Sequence, residues 1–233
     1  MIGTFLDMFD RVFIQEDRWT LWLSGLQATL AITFFALLIG LLIGFILALI
    51  RVIHGSSEKP GVPIRIVNRI VMMYVSTIRG IPMVVQLMVM NFFILAQSRN
   101  GILIASLAFG INSGAYVSEI FRGGILSVDK GQMEAGRSLG LSYPQTMLKI
   151  ILPQAIKNCL PALGNEFIAL LKETSISGYA AIRDVTHVAN VIRGRTFDPS
   201  PLFFVAAIYL ILVLILEFLI KKMEGRLRKS DQR

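Results

Sequence analysis

Only one cysteine, Cys159, occurs in 233 residues, so no disulfide can form within the chain. The two histidines, His54 and His187, lie far apart without ligand-like spacing around either, and no metal site is suggested. Charge is scarce too: 16% of residues are Asp, Glu, Lys or Arg, against about 25% in soluble domains. No Gly-Lys dipeptide occurs, which excludes a phosphate-binding P-loop and with it ATP hydrolysis by this polypeptide. The first 27 residues have neither the basic start nor the uninterrupted apolar run of a secretory signal.

Apolar residues are what the chain has in excess, 55% of the total, with a mean hydropathy of +0.67. A helix needs about 20 mainly apolar residues to cross about 30 Å of hydrocarbon. The length therefore holds five or six spans with short connections and no soluble domain, which makes residues 1–233 a single all-α membrane domain. A net charge of +8 would suggest nucleic acid in a soluble chain; in a membrane chain, basic residues mark cytoplasmic loops, so the lipid bilayer is the expected partner and nucleic acid is not.

Residues 1–22 alternate aromatic and charged side chains and read as an interfacial segment, with Trp19 and Trp22 at headgroup level. Five spans follow, at 23–50, 70–96, 101–120, 159–182 and 201–220. Ala36, Gly40, Gly44 and Ala48 recur every four residues in the first, and Ser106, Gly110, Gly114 and Ser118 in the third, so each carries a seam for close helix packing. The second is broken at Arg79-Gly80-Ile81-Pro82, where proline removes a backbone donor, and should kink or unwind there. Arg79 is either a partner in an ion pair or interface, or a residue lining a path.

The fourth span carries Asn165, Glu166, Lys172, Glu173 and Ser177. Ionisable residues cost about 2.5 to 3.5 kcal/mol each at a helix centre, so they should face the protein interior and find partners. Glu166, Glu173 and Ser177 fall on one helical face, the best candidate for a polar path; the two carboxylates are either substrate contacts or struts paired with Arg79 or Lys172. Alternating spans divide the basic residues 15 to 6 between the two sets of connections, placing the N-terminus outside and the 122–157 loop and C-terminus in the cytoplasm.

That loop contains a polar island at 134–153. Glu134, Ala135, Arg137, Ser138 and Leu139 suit a short helix with Glu134 in its first turn, ended by a left-handed Gly140. Ser142 suits the N-cap of a second helix with Pro144 in its first turn, closed by Pro153. Such a helix-turn-helix can hand force from a soluble partner to membrane helices, because each element is too short to bend.

Glu134-Ala135-Gly136, three residues, Gly140, nine residues, then Ile150-x-Leu152-Pro153 resembles the cytoplasmic signature of ABC importer permease subunits, with Gly136 replacing a second alanine of similar size. Arg79-Gly80-Ile81-Pro82, Tyr116-x-Ser118-Glu119 and Leu171-Lys172-Glu173-Thr174-Ser175 are similar to the polar amino-acid subfamily. The resemblance implies five spans and alternating access, with ATPase coupling through Glu134, Ala135, Gly136, Ser138, Leu139, Gly140 and Leu141. It also implies a second permease subunit, same or homologous, and an extracytoplasmic amino-acid-binding protein. No cofactor is expected on this chain, since ATP and Mg would belong to a dimer of cytoplasmic ATP-binding subunits. A membrane-embedded enzyme using Glu166, Glu173 and His187, or a passive channel, are the rival readings; no nucleophile–base spacing favours the first.

Overall fold

The computed structural model describes residues 2–55 and 59–231, with side chains at 6–55 and 59–226. Residues 56–58 of the first basic connection and the side chains of the basic tail beyond Arg226 lie outside the described residues. The described chain is nearly all helix: α1 Ile2–Phe9, α2 Trp19–Gly55, α3 Val62–Gly80, α4 Met83–Val89, α5 Gly101–Leu126, α6 Lys130–Ser138, α7 Tyr143–Thr146, α8 Leu152–Glu173, α9 Val185–Thr196 and α10 Pro201–Asp231.

Three helices are long and apolar enough to cross a membrane: Trp19–Gly55, Gly101–Leu126 and Pro201–Arg226. A fourth crossing results if Val62–Gly80 and Met83–Ile94, bent by 105° at the predicted break, count as one span. Pro82 explains the bend: its φ of −56° and ψ of 137° take the backbone out of the helix, and it caps α4 without donating a hydrogen bond. The expected fourth span, 159–182, has different helix bounds. Its helix α8 begins at Leu152, ends at Glu173, and passes into a 3₁₀ segment, Thr174–Ala180. Gln154, Lys157, Asn158, Asn165 and Glu166 dilute its apolar run, so α8 is not among the membrane-crossing helices that length and composition identify.

The chain divides into two compact units. The first comprises Met1–Leu38, Ile81–Gly110 and Phe167–Glu217. Its core joins Val12 and Trp22 to Val185, Val188, Ala189 and Ile192 of α9 and Val205 of α10. Trp22 is therefore packed inside the protein: it is 4% exposed, stacks on Phe13 and donates its indole N–H to Val12 O at 3.1 Å. The N-terminal segment folds back onto its own unit because burying an indole and a phenyl ring removes far more apolar surface from water than leaving them at an interface. Trp19, by contrast, is exposed.

The second unit comprises Ile39–Gly80, Ile111–Glu166 and Phe218–Arg233. Its two small-residue seams meet. A Cβ on Gly44 would lie 2.4 Å from Val117 Cγ1, and one on Gly114 would lie 2.6 Å from Ile43 Cγ2, so α2 and α5 cross at a distance that only glycine permits. Val71 and Val75 of α3 pack with Ala115 beside this crossing. At the far end of α5, Val128, Ile151 and Ala155 form a separate cluster that seats the 130–151 segment.

Candidate functional site

The helix-turn-helix after α5 is built by its caps. Asp129 is the N-cap of α6 and accepts from Gly131 N–H at 2.6 Å, so the helix starts one turn earlier than the sequence suggested and Glu134 sits in the second turn, not the first. At its end, Leu141 N–H donates to Gly136 O at 3.1 Å and Gly140 N–H to Arg137 O at 3.0 Å, a Schellman closure with Gly140 left-handed at φ +82°. Ser142 then caps α7, its N–H donating to Gln145 Oε1 at 2.8 Å.

Pro153 does not close that second helix. The chain stays helical from Tyr143 to Glu173 through a π turn, Met147–Ile151, in which Leu152 N–H reaches back five residues to Met147 O. One extra residue in the turn lets the proline ring pass the preceding carbonyls, and the helix continues. Nor is Gly136 interchangeable with alanine here. It is buried, and a Cβ on it would lie 2.5 Å from Thr146 Cγ2 and 3.1 Å from Ile150 Cδ1. The backbone of α6 thus rests directly on the α7 turn, while Glu134, Ala135, Ser138 and Leu139 face outward, Leu139 at 82% exposure beside a half-buried Leu141.

The candidate path residues are distributed differently. Asn165 and Glu166 belong to the second unit, Glu173 and Ser177 to the first, and α8 ends between the last two, so the shared α-helical face does not extend to Ser177. Half-buried Glu166 accepts from the buried Ser113 hydroxyl at 2.7 Å, so its partner is a neutral donor, not the cation of a strut; Asn165 is exposed. Glu173 is half-buried, whereas Ser177 is fully buried and its hydroxyl has no partner among the described residues. Arg79, exposed at the C-terminal end of α3, lays its guanidinium 5.1 Å from the centroid of the Tyr116 ring.

Two constellations escaped sequence reading. Glu119 is gripped by Arg51 and by Arg122, whose Nη2 lies 2.9 Å from Oε2. With Ser76, Arg79 and Tyr116 it lines a cleft of about 450 Å³. The i,i+3 spacing of Glu119 and Arg122 was a usable signal; Arg51 was hidden because α2 runs past the expected end of the span. In the first unit, fully buried Asp184 caps α9, accepting from Thr186 N–H at 3.0 Å, His187 N–H at 2.8 Å and Tyr209 O–H at 3.3 Å. Burial pushes its carboxyl above the ordinary aspartate value despite those bonds. On the same connection, the Ser200 N–H and the Arg11 guanidinium hold Asp198 below it.

A nearly all-helical chain with three or four apolar crossings and a capped helix-turn-helix seated against a helix end is a multi-pass membrane component. Residues 62–229 match the family described as binding-protein-dependent transport system inner membrane component, and the chain belongs to it. It is 38% identical over 213 residues to the arginine transport system permease protein ArtQ of Bacillus subtilis, covering 90% of this chain and 93% of that one. It is 35% identical over 212 residues to the glutamine transport system permease protein GlnP of Escherichia coli, covering 88% and 92%. Its fold is similar to a solved amino acid ABC transporter with histidines, at a TM-score of 0.78 and 40% identity over 89% of this chain and 94% of that one. These relatives are transport permeases, so the chain is a transport subunit and not an enzyme, and the channel and enzyme readings gain nothing from them.

Proposed function

We propose that this chain is the permease subunit of an ATP-driven amino-acid importer, forming the substrate path by alternating access while a separate ATPase dimer supplies the energy. The observation that carries this reading is the docking element: two caps and a left-handed glycine stiffen a short helix whose Leu139 stands free of its own chain. An apolar side chain held out on a rigid turn fits a groove on a soluble partner. Coupling is assigned to Glu134, Ala135, Gly136, Ser138, Leu139, Gly140 and Leu141.

The proposed topology has five crossings, with the N-terminus outside and the docking element and C-terminus in the cytoplasm. The 15 to 6 asymmetry of basic residues supports it, as does a 22-residue α8 whose polar groups are tolerable where protein, not lipid, surrounds them. A second permease subunit, same or homologous, completes the path, and an extracytoplasmic binding protein delivers the amino acid. ATP and Mg bind the ATPase partner. Glu166, held by Ser113, and Arg79, lying on Tyr116, are the proposed path contacts of the second unit. Asn165, Glu173 and Ser177 complete the set.

In the mechanism, closure of the ATPase dimer on ATP moves the docking helix as a rigid body and turns the membrane helices toward the outward-open state; hydrolysis resets them. The test is reconstitution with the partner subunits. Leu139→Cys should crosslink to the ATPase subunit, and Gly140→Pro or Glu134→Lys should abolish uptake while ATPase activity persists. Normal uptake in both variants, or crosslinking only to extracytoplasmic protein, refutes the reading.

A further inference from the structure

A cavity of about 780 Å³ in the first unit carries two cationic side chains. Arg99 and Arg183 both line it, together with Ser24, Asn91 and Asn100, and no acidic residue does so among the described residues. Arg183 Nη1 lies 3.5 Å from Ser24 Oγ, and both arginines are exposed. The neighbouring Asp184 cannot neutralise them, because it is buried and its oxygens are occupied by Thr186, His187 and Tyr209. The cavity is thus built for an oxyanion and has none from its own chain.

Its position selects which oxyanion. Two membrane-crossing helices line it near their N-terminal ends, α2 through Ser24 in its second turn and α5 through Gly101 and Ile102 in its first. The ends of such helices lie where lipid phosphates lie. Three of the lining stretches also carry an exposed apolar residue adjacent in sequence: Leu23 before Ser24, Phe92 and Phe93 after Asn91, Leu103 after Ile102, with Phe93 81% exposed. A soluble anion has no use for that surface, whereas acyl chains do. We propose that this cavity binds the phosphate headgroup of an anionic phospholipid between Arg99 and Arg183, the acyl chains lying along the apolar rim. The inference needs only the membrane setting, and it is independent of the transported substrate.

The test uses the purified complex, freed of phospholipid in detergent and titrated with phosphatidylglycerol or phosphatidylcholine of identical chains, bound lipid being read by native mass spectrometry. The expected result is one phosphatidylglycerol held roughly tenfold more tightly than phosphatidylcholine. The preference should vanish in the double variant Arg99→Gln, Arg183→Gln and survive in Arg193→Gln, Arg195→Gln. Equal binding of the two lipids by the unaltered complex overturns the proposal, as does a preference that survives the first variant or is lost in the second. A competition on the unaltered complex requires no variant: glycerol 3-phosphate and glutamate at millimolar concentration should leave the lipid bound. Displacement by either would identify a soluble oxyanion as the occupant and overturn the lipid assignment. Loss of amino-acid uptake plays no part in these readouts.

Discussion

Gly136 and Thr146 touch so closely that a methyl group on the glycine would sit 2.5 Å from the threonine Cγ2. Through this contact α6 lies directly against the α7 turn, and the separation of the two short helices is set by the absence of one carbon atom.

Gly136→Ala should therefore destabilise the docking element by about 1 to 3 kcal/mol, the usual range for overpacking. Thr146→Ser removes the methyl group nearest the new Cβ, so the double variant should recover most of the loss. Thermal unfolding of the purified complex and coupled ATPase activity measure both effects. A Gly136→Ala protein with unaltered melting and coupling would show that the two helices separate freely.

Glu119 pairs with both Arg51, whose side chain is only 11% exposed, and Arg122. Glu119→Gln leaves Arg51 nearly buried without its counter-charge, and a cost of about 2 to 4 kcal/mol is expected, at the lower side of broken buried pairs because Glu119 keeps some solvent. Arg122→Gln, at the more exposed partner, should cost less than about 1 kcal/mol. Denaturant titration of the two variants compares them, and equal losses would refute the ordering.

Glu166→Gln preserves volume and the Ser113 contact while removing the charge. If the carboxylate meets substrate, uptake should show a raised KM with little change in melting temperature. Ser113→Ala should weaken the same step through the freed carboxylate. Unchanged kinetics in both variants would make Glu166 a structural residue.

Asp184 and Asp198 give opposite pH responses. Burial raises the folded pKa of Asp184, so the unfolded chain loses this proton first and its contribution to stability falls as pH rises toward the folded value. The Ser200 N–H lowers that of Asp198, whose contribution is present above the ordinary value near 3.8 and is lost as pH falls through the lower folded value. Melting temperatures from about pH 3 to pH 7 should show the Asp184 component removed by Asp184→Asn and the Asp198 component by Asp198→Asn, with opposite signs. Matching signs would refute the assignment.

Much of this was legible along the chain because its signals are local. The left-handed Gly140, the Ser142 cap and the 79–82 break each depend on one or two residues whose backbone preferences hold anywhere. The small-residue seams were equally plain, since a four-residue period is a property of one helix. Pro153 and Gly136 were misread, and the burial of Trp22 was not foreseen, for the converse reason. A tryptophan's fate depends on whether an apolar partner is available, a proline's on whether the preceding turn can widen, and a glycine's on what rests against it.

Composition and periodicity alone determined that this is a helical membrane chain and where its breaks fall, because bilayer insertion imposes strict residue requirements. Tertiary structure decided which groups meet: Glu166 with Ser113, Glu119 with Arg51, Asp184 with Tyr209. Those partners lie 25 to 68 residues apart in sequence. Hydrogen bonds and ion pairs act over a few ångströms, so pairings at such separations exist only once the helices have packed.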